Sequence, residues 1–360
     1  MVPESLNEML LLPILYAFKL WGGASSVLKR KLLLFVASGK IESYSINMNL
    51  LEFTILTVPV SGATILMNMF FVYCMFFPEN GTKNRLKPPL NVLLGSLIGC
   101  NLTLNVFNLL FVLFDHFHPA ALLYSISYAV TLFAMRTSFN SSLGLNVFYY
   151  FQIVPVQKSF LVWVKTHIKV IMYLTLFFDR IFFSFEFVLE IMYPSEHAVP
   201  AADLNLTSVQ VNITNGNMDL KYLLLTTNFW LLCGYFFLCV FIMLASSSAT
   251  VFYLWSHMKS MKENTSSFSA LHLERQMRVT IMGVIQTVLY FLSSGSLAAE
   301  DIIFYYFVEN FDEGEYLCDS VVALYSLGTT IILGFCQTIF RLRVIDIWKK
   351  LLQTLKFSSD

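Results

Sequence analysis

The sequence predicts an all-α membrane protein, a bundle of seven transmembrane helices, and three observations predict it. The composition is 57% hydrophobic and only 13% charged over 360 residues, whereas a soluble domain carries roughly 25% charged residues; mean hydropathy is +0.67. Seven stretches reach the about 20 apolar residues that a bilayer crossing needs. The basic residues are divided unequally between the two sets of segments that join those stretches. This composition excludes a disordered chain, a disulfide-stapled secreted domain and a nucleic-acid binder.

Taken in order, the spans are Leu51–Phe77, Pro89–Phe114, Ala120–Gln152, Ile168–Ile191, Tyr222–Ser256, Val279–Ala299 and Leu317–Phe340. Short polar segments carrying Gly81, Pro88, Pro119 and Pro194 separate them. Within lipid the backbone must satisfy its own hydrogen bonds, so each run is a helix. None alternates with period two, which argues against an outer-membrane barrel, and there is no internal repeat of the kind transporters use.

Residues 49–340 thus form one seven-span domain. Residues 341–360 form a short tail in which Leu342, Ile345, Trp348, Leu351 and Leu352 share a helical face, with Arg341, Lys349, Lys350 and Lys356 placed for lipid phosphates. That pattern predicts an amphipathic helix on the inner leaflet. Residues 1–48 fit less well, because Met9–Trp21 and Lys31–Ala37 are too short to span. They read as an N-terminal extension, either a gene-model addition upstream of Met48 or a disordered tail. A signal peptide is the alternative, opposed by Glu4 and Glu8 where positive charge belongs.

Charge placement sets the orientation. Lys83, Arg85 and Lys87, then Lys158, Lys165 and Lys169, then Lys259, Lys262, Arg275 and Arg278 fall in one set of connections, with five more in the tail; the opposite set holds Lys221 alone. The tail is therefore expected in the cytoplasm and the N-terminus outside. Glycosylation sequons at Asn205 and Asn212 both fall in the long outer connection, which agrees with that topology. Ten acidic residues in the outer connections, six of them between Glu300 and Glu315, read as a solvated outer face or as a mouth that concentrates cationic ligands.

No catalytic constellation, nucleotide loop or metal set is present, so neither an enzyme nor a cofactor is expected. His116 and His118 have ligand-like spacing but no third partner nearby, and the six cysteines form neither a disulfide framework nor a CxxC pair. Arg136, Asp179, Arg180 and Glu186 are charges inside spans, which are costly unless paired or hydrated and so should face the interior. Asp179 is a candidate partner for Arg136 or Arg180, or a ligand contact.

Seven spans with an outer N-terminus is the arrangement of G-protein-coupled receptors. The marks of the largest receptor class are missing: no acidic-Arg pair ends the third span, no Asn-Pro-x-x-Tyr lies in the seventh, and Asp115–Lys221 contains no Cys. Instead Leu145-Asn146-Val147-Phe148-Tyr149-Tyr150-Phe151-Gln152-Ile153-Val154, followed by Phe160-Leu161-Val162-Trp163-Val164-Lys165, resembles the type 2 (bitter) taste receptors, whose strings are close to LSxFYFLKIA and FLWLK. Leu254-Trp255-Ser256-His257 with Met261 resembles that family's LWxHxxxM, Tyr290-Phe291-Leu292-Ser293 its YFLS, and Asn68 its first-helix Asn. The likeness covers Leu51 to about Leu352. Departures at Cys100-Asn101, Ser326–Thr330, Gln337–Arg341 and His272–Arg278 identify a divergent, fish-like member.

The resemblance implies a receptor that binds small bitter-type molecules from outside and activates a heterotrimeric, gustducin-like G protein, with phospholipase C and calcium downstream. It implies a ligand pocket at Tyr128, Thr131, Leu132, Met135, Arg136, Tyr290 and Asp319, and a G-protein-facing set at Tyr149, Tyr150, Lys165, His257 and Arg278. On residue type alone, Tyr290 fits core packing and Asp319 a solvated boundary acid equally well. A plasma-membrane location with lipid contacts follows; homo- and hetero-oligomers both stay open. Rivals are a vomeronasal-type pheromone receptor, whose helix-end strings differ, and a seven-helix ligand-gated channel or transporter, which a reversed orientation would favour.

Overall fold

The computed structural model describes residues 48–77, 88–117, 121–155, 157–192, 215–261, 267–307 and 316–357. Among the described residues there are nine helices and no strand: α1 Leu50–Phe76, α2 Leu90–Phe117, α3 Ala121–Ile153, α4 Ser159–Thr166, α5 Ile168–Met192, α6 Asn215–Met261, α7 Ser267–Phe307, α8 Tyr316–Cys336 and α9 Thr338–Phe357. The seven long ones, α1–α3 and α5–α8, correspond to the seven spans. Residues 1–47, the Asn205 and Asn212 sequons and the acids from Glu309 to Glu315 lie outside the described residues.

Five helices (α1, α2, α6, α7 and α8) are long and apolar enough to cross a membrane by themselves. The other two fall short for different reasons. In α5 the charges Asp179, Arg180 and Glu186 interrupt the apolar run; in α3 the stretch Thr137-Ser138-Phe139-Asn140-Ser141-Ser142 dilutes it. Both are interior features. α3 is the hub and touches α2, α5, α6 and α7, while α1, α2 and α8 close the far side.

Two helices, α6 and α7, run well past their apolar stretches at both ends. α7 begins at Ser267, well before Val279, and its 41 residues are roughly 60 Å long at 1.5 Å each, about twice a hydrocarbon core. Polar residues past the lipid keep their helical bonds, and hydropathy does not register them. The seventh span is divided: α8 ends at Cys336, Gln337 is non-helical, and α9 starts at Thr338. The tail helix thus begins before residue 341.

Successive long helices alternate in direction. At the end holding Leu50, the Phe53 and Tyr316 rings stack at 4.7 Å; at the end holding Phe76, Phe71 and Phe340 stack at 4.2 Å. Arg343 of α9 also donates to the Phe77 carbonyl there, tying the tail helix to α1.

Buried apolar side chains from every long helix form one core, including Phe71, Leu93, Leu97, Phe139, Met172, Met243, Met282, Tyr325 and Leu333. A polar ladder threads it. Ser138 donates to Asn101 Oδ1 (2.7 Å), Asn101 to Thr329 (3.0 Å), Asn105 to Ser326 (2.7 Å) and Asn68 to Thr330 (3.0 Å). Ser142 and Tyr325 share a hydrogen bond of 3.0 Å. Buried polar groups are costly unless bonded, so these pairings specify which faces of α1, α2, α3 and α8 meet. The perimeter is the reverse: Phe177, Phe178, Phe237, Phe241 and Phe252 are exposed, as suits side chains that meet acyl chains. All six cysteines are free thiols.

Candidate ligand site and its link to the opposite end

α3 carries Arg136 about midway along its length. Nη2 and Nε of Arg136 donate to Glu186 Oε1 of α5 at 3.1 and 3.2 Å, with side chains only 17% and 10% exposed. A buried charge of either sign is tolerated because its partner is there. Glu186 Oε2 has no partner among the described residues, so one carboxylate oxygen stays available to another donor.

One helical turn along α3, the Phe139 ring meets Tyr290 of α7 edge-on (5.3 Å, 72°) and Tyr325 of α8 likewise (4.6 Å, 78°). Tyr290 lies parallel to Phe236 of α6 at 6.5 Å, and Arg136 is within electrostatic reach of its hydroxyl. Beside them Tyr235 of α6 donates to Asp179 Oδ1 at 3.0 Å, its ring set between Phe182 and Phe183. Buried polar atoms without partners among the described residues lie at Gln286 and Ser293 of α7 and, on α2, at Asn108. Aromatic walls with a few polar groups suit a small, largely apolar molecule. Among the described residues no three metal-binding side chains converge.

Toward the Phe76 end, side chains join the same helices. Asn146 of α3 donates to Ser247 of α6 (2.7 Å) and Thr287 of α7 (3.1 Å), and Ser247 and Thr287 bond each other at 2.8 Å. The close approach requires Gly283, where a Cβ would come within 2.9 Å of Asn146 Oδ1. Below it, Gln337 Nε2 donates to the Tyr149 hydroxyl and lies near Met282 Sδ.

The residues expected from the sequence divide between these regions. Met135 and Tyr290 belong to one buried core, with Leu132 packed against it. Thr131 is buried, and its hydroxyl donates to the Ser127 carbonyl (3.0 Å) in its own helix. Tyr128 is half-buried one turn further toward the Leu50 end. Asp319 is half-buried in the first turn of α8, three residues from Tyr316, which stacks on α1. At the opposite end Tyr149, Tyr150 and Arg278 are half-buried, whereas Lys165 and His257 are exposed.

Arg136 pairs with Glu186, not with Asp179, and Arg180 donates to Ser96 (2.9 Å). Asp179, a candidate partner of both, accepts a hydrogen bond from Tyr235 and feels the charge of Arg180 without making an ion-pair contact with it. The sequence reading assigned no role to Phe139, Tyr235 or Asn146, although Asn146 stood inside a recognised string. A usable signal was present in α5, where the buried Met172, Asp179, Phe183, Glu186 and Leu189 recur at helical spacing and form one stripe.

Comparison with known families adds a direct finding. The sequence model of the family described as taste receptor protein (TAS2R) matches residues 46–347, most of the chain and all seven long helices. No individual curated protein matches it. The family is one of receptors, not enzymes, with the seven-helix architecture of G-protein-coupled receptors, and its members act through small molecules and G proteins. By that match, and by the helices that carry it, this chain belongs to the taste receptor (TAS2R) family.

Proposed function

We propose that this taste receptor is of the bitter type. Its ligand is a small, mostly apolar molecule that enters at the Leu50 end, which faces outside, and settles among α3, α6, α7 and α8. Its partner is a gustducin-like G protein that docks at the Phe76 end, inside the plasma membrane. One observation carries the reading: the ring contacts Phe139–Tyr290–Phe236 join the Arg136–Glu186 level to the same three helices that Asn146, Ser247 and Thr287 tie together. Thr287 stands three residues from Tyr290, one turn along α7. A ligand that displaces Tyr290 therefore moves the segment whose hydroxyl holds α3 and α6. Only a molecule that favours the displaced arrangement shifts the equilibrium.

The test expresses the chain with a calcium reporter and a promiscuous G protein and screens bitter compounds. Tyr290→Ala is expected to raise the effective agonist concentration at least about tenfold, the scale of one lost aromatic contact, with surface expression preserved. Tyr290→Phe keeps the ring and should stay close to the parent. If Tyr290→Ala and Asp319→Ala both lose surface expression, these residues are structural and the pocket assignment fails.

The orientation rests on the basic residues gathered at the Phe76 end. Asn205→Gln with Asn212→Gln is expected to abolish a glycosidase-sensitive mobility shift. A C-terminal tag stained on unpermeabilised cells would overturn the topology.

A further inference from the structure

Beyond the interior site, a cavity of about 350 Å³ lies between α2, α3 and α5. Its α2 wall is Gly95, Ser96, Gly99 and Cys100; Phe133 of α3 and Arg180 of α5 face them. Gly99 is exposed, and a Cβ built there meets nothing within 4 Å. The cavity therefore opens onto the bundle perimeter, where acyl chains lie, and not into the interior.

Arg180 is the unusual group in it. Nη2 donates to Ser96 Oγ at 2.9 Å and reaches Cys100 Sγ at 4.0 Å, and the guanidinium lies 5.8 Å from the Phe133 ring centre. No carboxylate among the described residues lies within ion-pair distance of it: Asp179, close enough to feel its charge, accepts from Tyr235, and Glu186 is paired with Arg136. A guanidinium has five N–H donors in a planar fork that matches a carboxylate two-to-two. Most of that fork is unused by the side chains around it.

We propose that this cavity is a membrane-accessible site for an amphipathic carboxylic acid, a carboxylate on a single long apolar chain. The carboxylate pairs with Arg180, whose guanidinium Phe133 supports through its π face, and the chain lies along the glycine-lined wall of α2. Depth selects this class over a phospholipid headgroup. Arg180 is twelve residues from either end of α5, roughly 18 Å at 1.5 Å per residue, so a group anchored at the bilayer surface does not reach it. The site also communicates with α3, because Ser96, which receives the Arg180 bond, shares a 2.7 Å hydrogen bond with Ser141, five residues from Asn146.

The experiment uses the full chain in phosphatidylcholine nanodiscs with a diazirine-bearing oleic acid as photoprobe. Labelling is expected on residues 95–103 and 130–134, displaced by oleic acid and not by oleyl alcohol, which has the same chain without the charge. Arg180→Gln should weaken labelling by about tenfold or more, the scale of a lost charge-assisted pair. Gly99→Leu, which fills the cavity and leaves the charge, should abolish it. Equal competition by acid and alcohol, labelling at other helices, or unchanged labelling of Gly99→Leu would each overturn the proposal. Should Arg180→Gln fail to fold, the alcohol comparison and Gly99→Leu still decide it. Agonist responses are not part of the readout, so the outcome is independent of the interior ligand site.

Discussion

Replacing Arg136 by Met is expected to remove most of the folded receptor from the cell surface. The substitution leaves Glu186 buried with neither of its oxygens bonded to a cation. Breaking one side of a buried pair costs about 3–5 kcal/mol, a large fraction of the stability of an ordinary domain. The double variant Arg136→Met with Glu186→Leu replaces both charges by side chains of similar size and should recover surface expression, since well-packed apolar pairs commonly match buried ion pairs. Flow cytometry of tagged receptor and thermal inactivation in detergent read both effects. A single Arg136→Met variant as stable as the parent would mean that the pair does not make this charge tolerable. The double variant has a second use: if it folds but loses agonist response, the ion pair serves ligand recognition as well as packing.

Asn146→Val is expected to raise signalling in the absence of agonist. Asn146 makes two hydrogen bonds that bridge α3 to α6 and α7. Each is worth about 1 kcal/mol net, and losing both shifts a two-state balance by roughly thirtyfold. Ser247 and Thr287 keep their mutual bond, so no hydroxyl is orphaned and the bundle should still fold. Gly283→Val tests the same contact by wedging instead of deletion, because the added Cβ would stand 2.9 Å from Asn146 Oδ1. Both variants should elevate basal calcium at matched surface levels. If basal signal stays at the parent level in both, these bonds do not hold the resting arrangement.

Much of this was legible in the residues and some was not, for identifiable reasons. Apolar runs reveal the number of crossings because lipid demands length, and all seven long helices coincide with them. They do not reveal where α7 starts, since a helix in water needs no apolar residues. The helix break at Gln337 was hidden by the apolar residues on both sides of it.

The partner of Arg136 failed for a geometric reason. Counted from the Leu50 end, Arg136 is fifteen residues into α3, Asp179 thirteen residues and Glu186 six residues before the end of α5. Asp179 therefore looks level, and the two acids share a face. Helices of 33 and 25 residues do not keep equal heights, and Glu186 takes the contact. The run from Thr137 to Ser142 likewise weakens α3 as an apolar span, and its meaning emerges only when Asn101 and Tyr325 arrive opposite it.

That none of the six cysteines is in a disulfide has a practical corollary. No covalent strap contributes to holding the helices together, so the receptor should pass through purification in dithiothreitol without losing its shape. Cys74 and Cys239 are shielded from bulky maleimides by their neighbours, which leaves four positions to silence before a single fluorophore attached at the Met261 end of α6 reports on that helix alone.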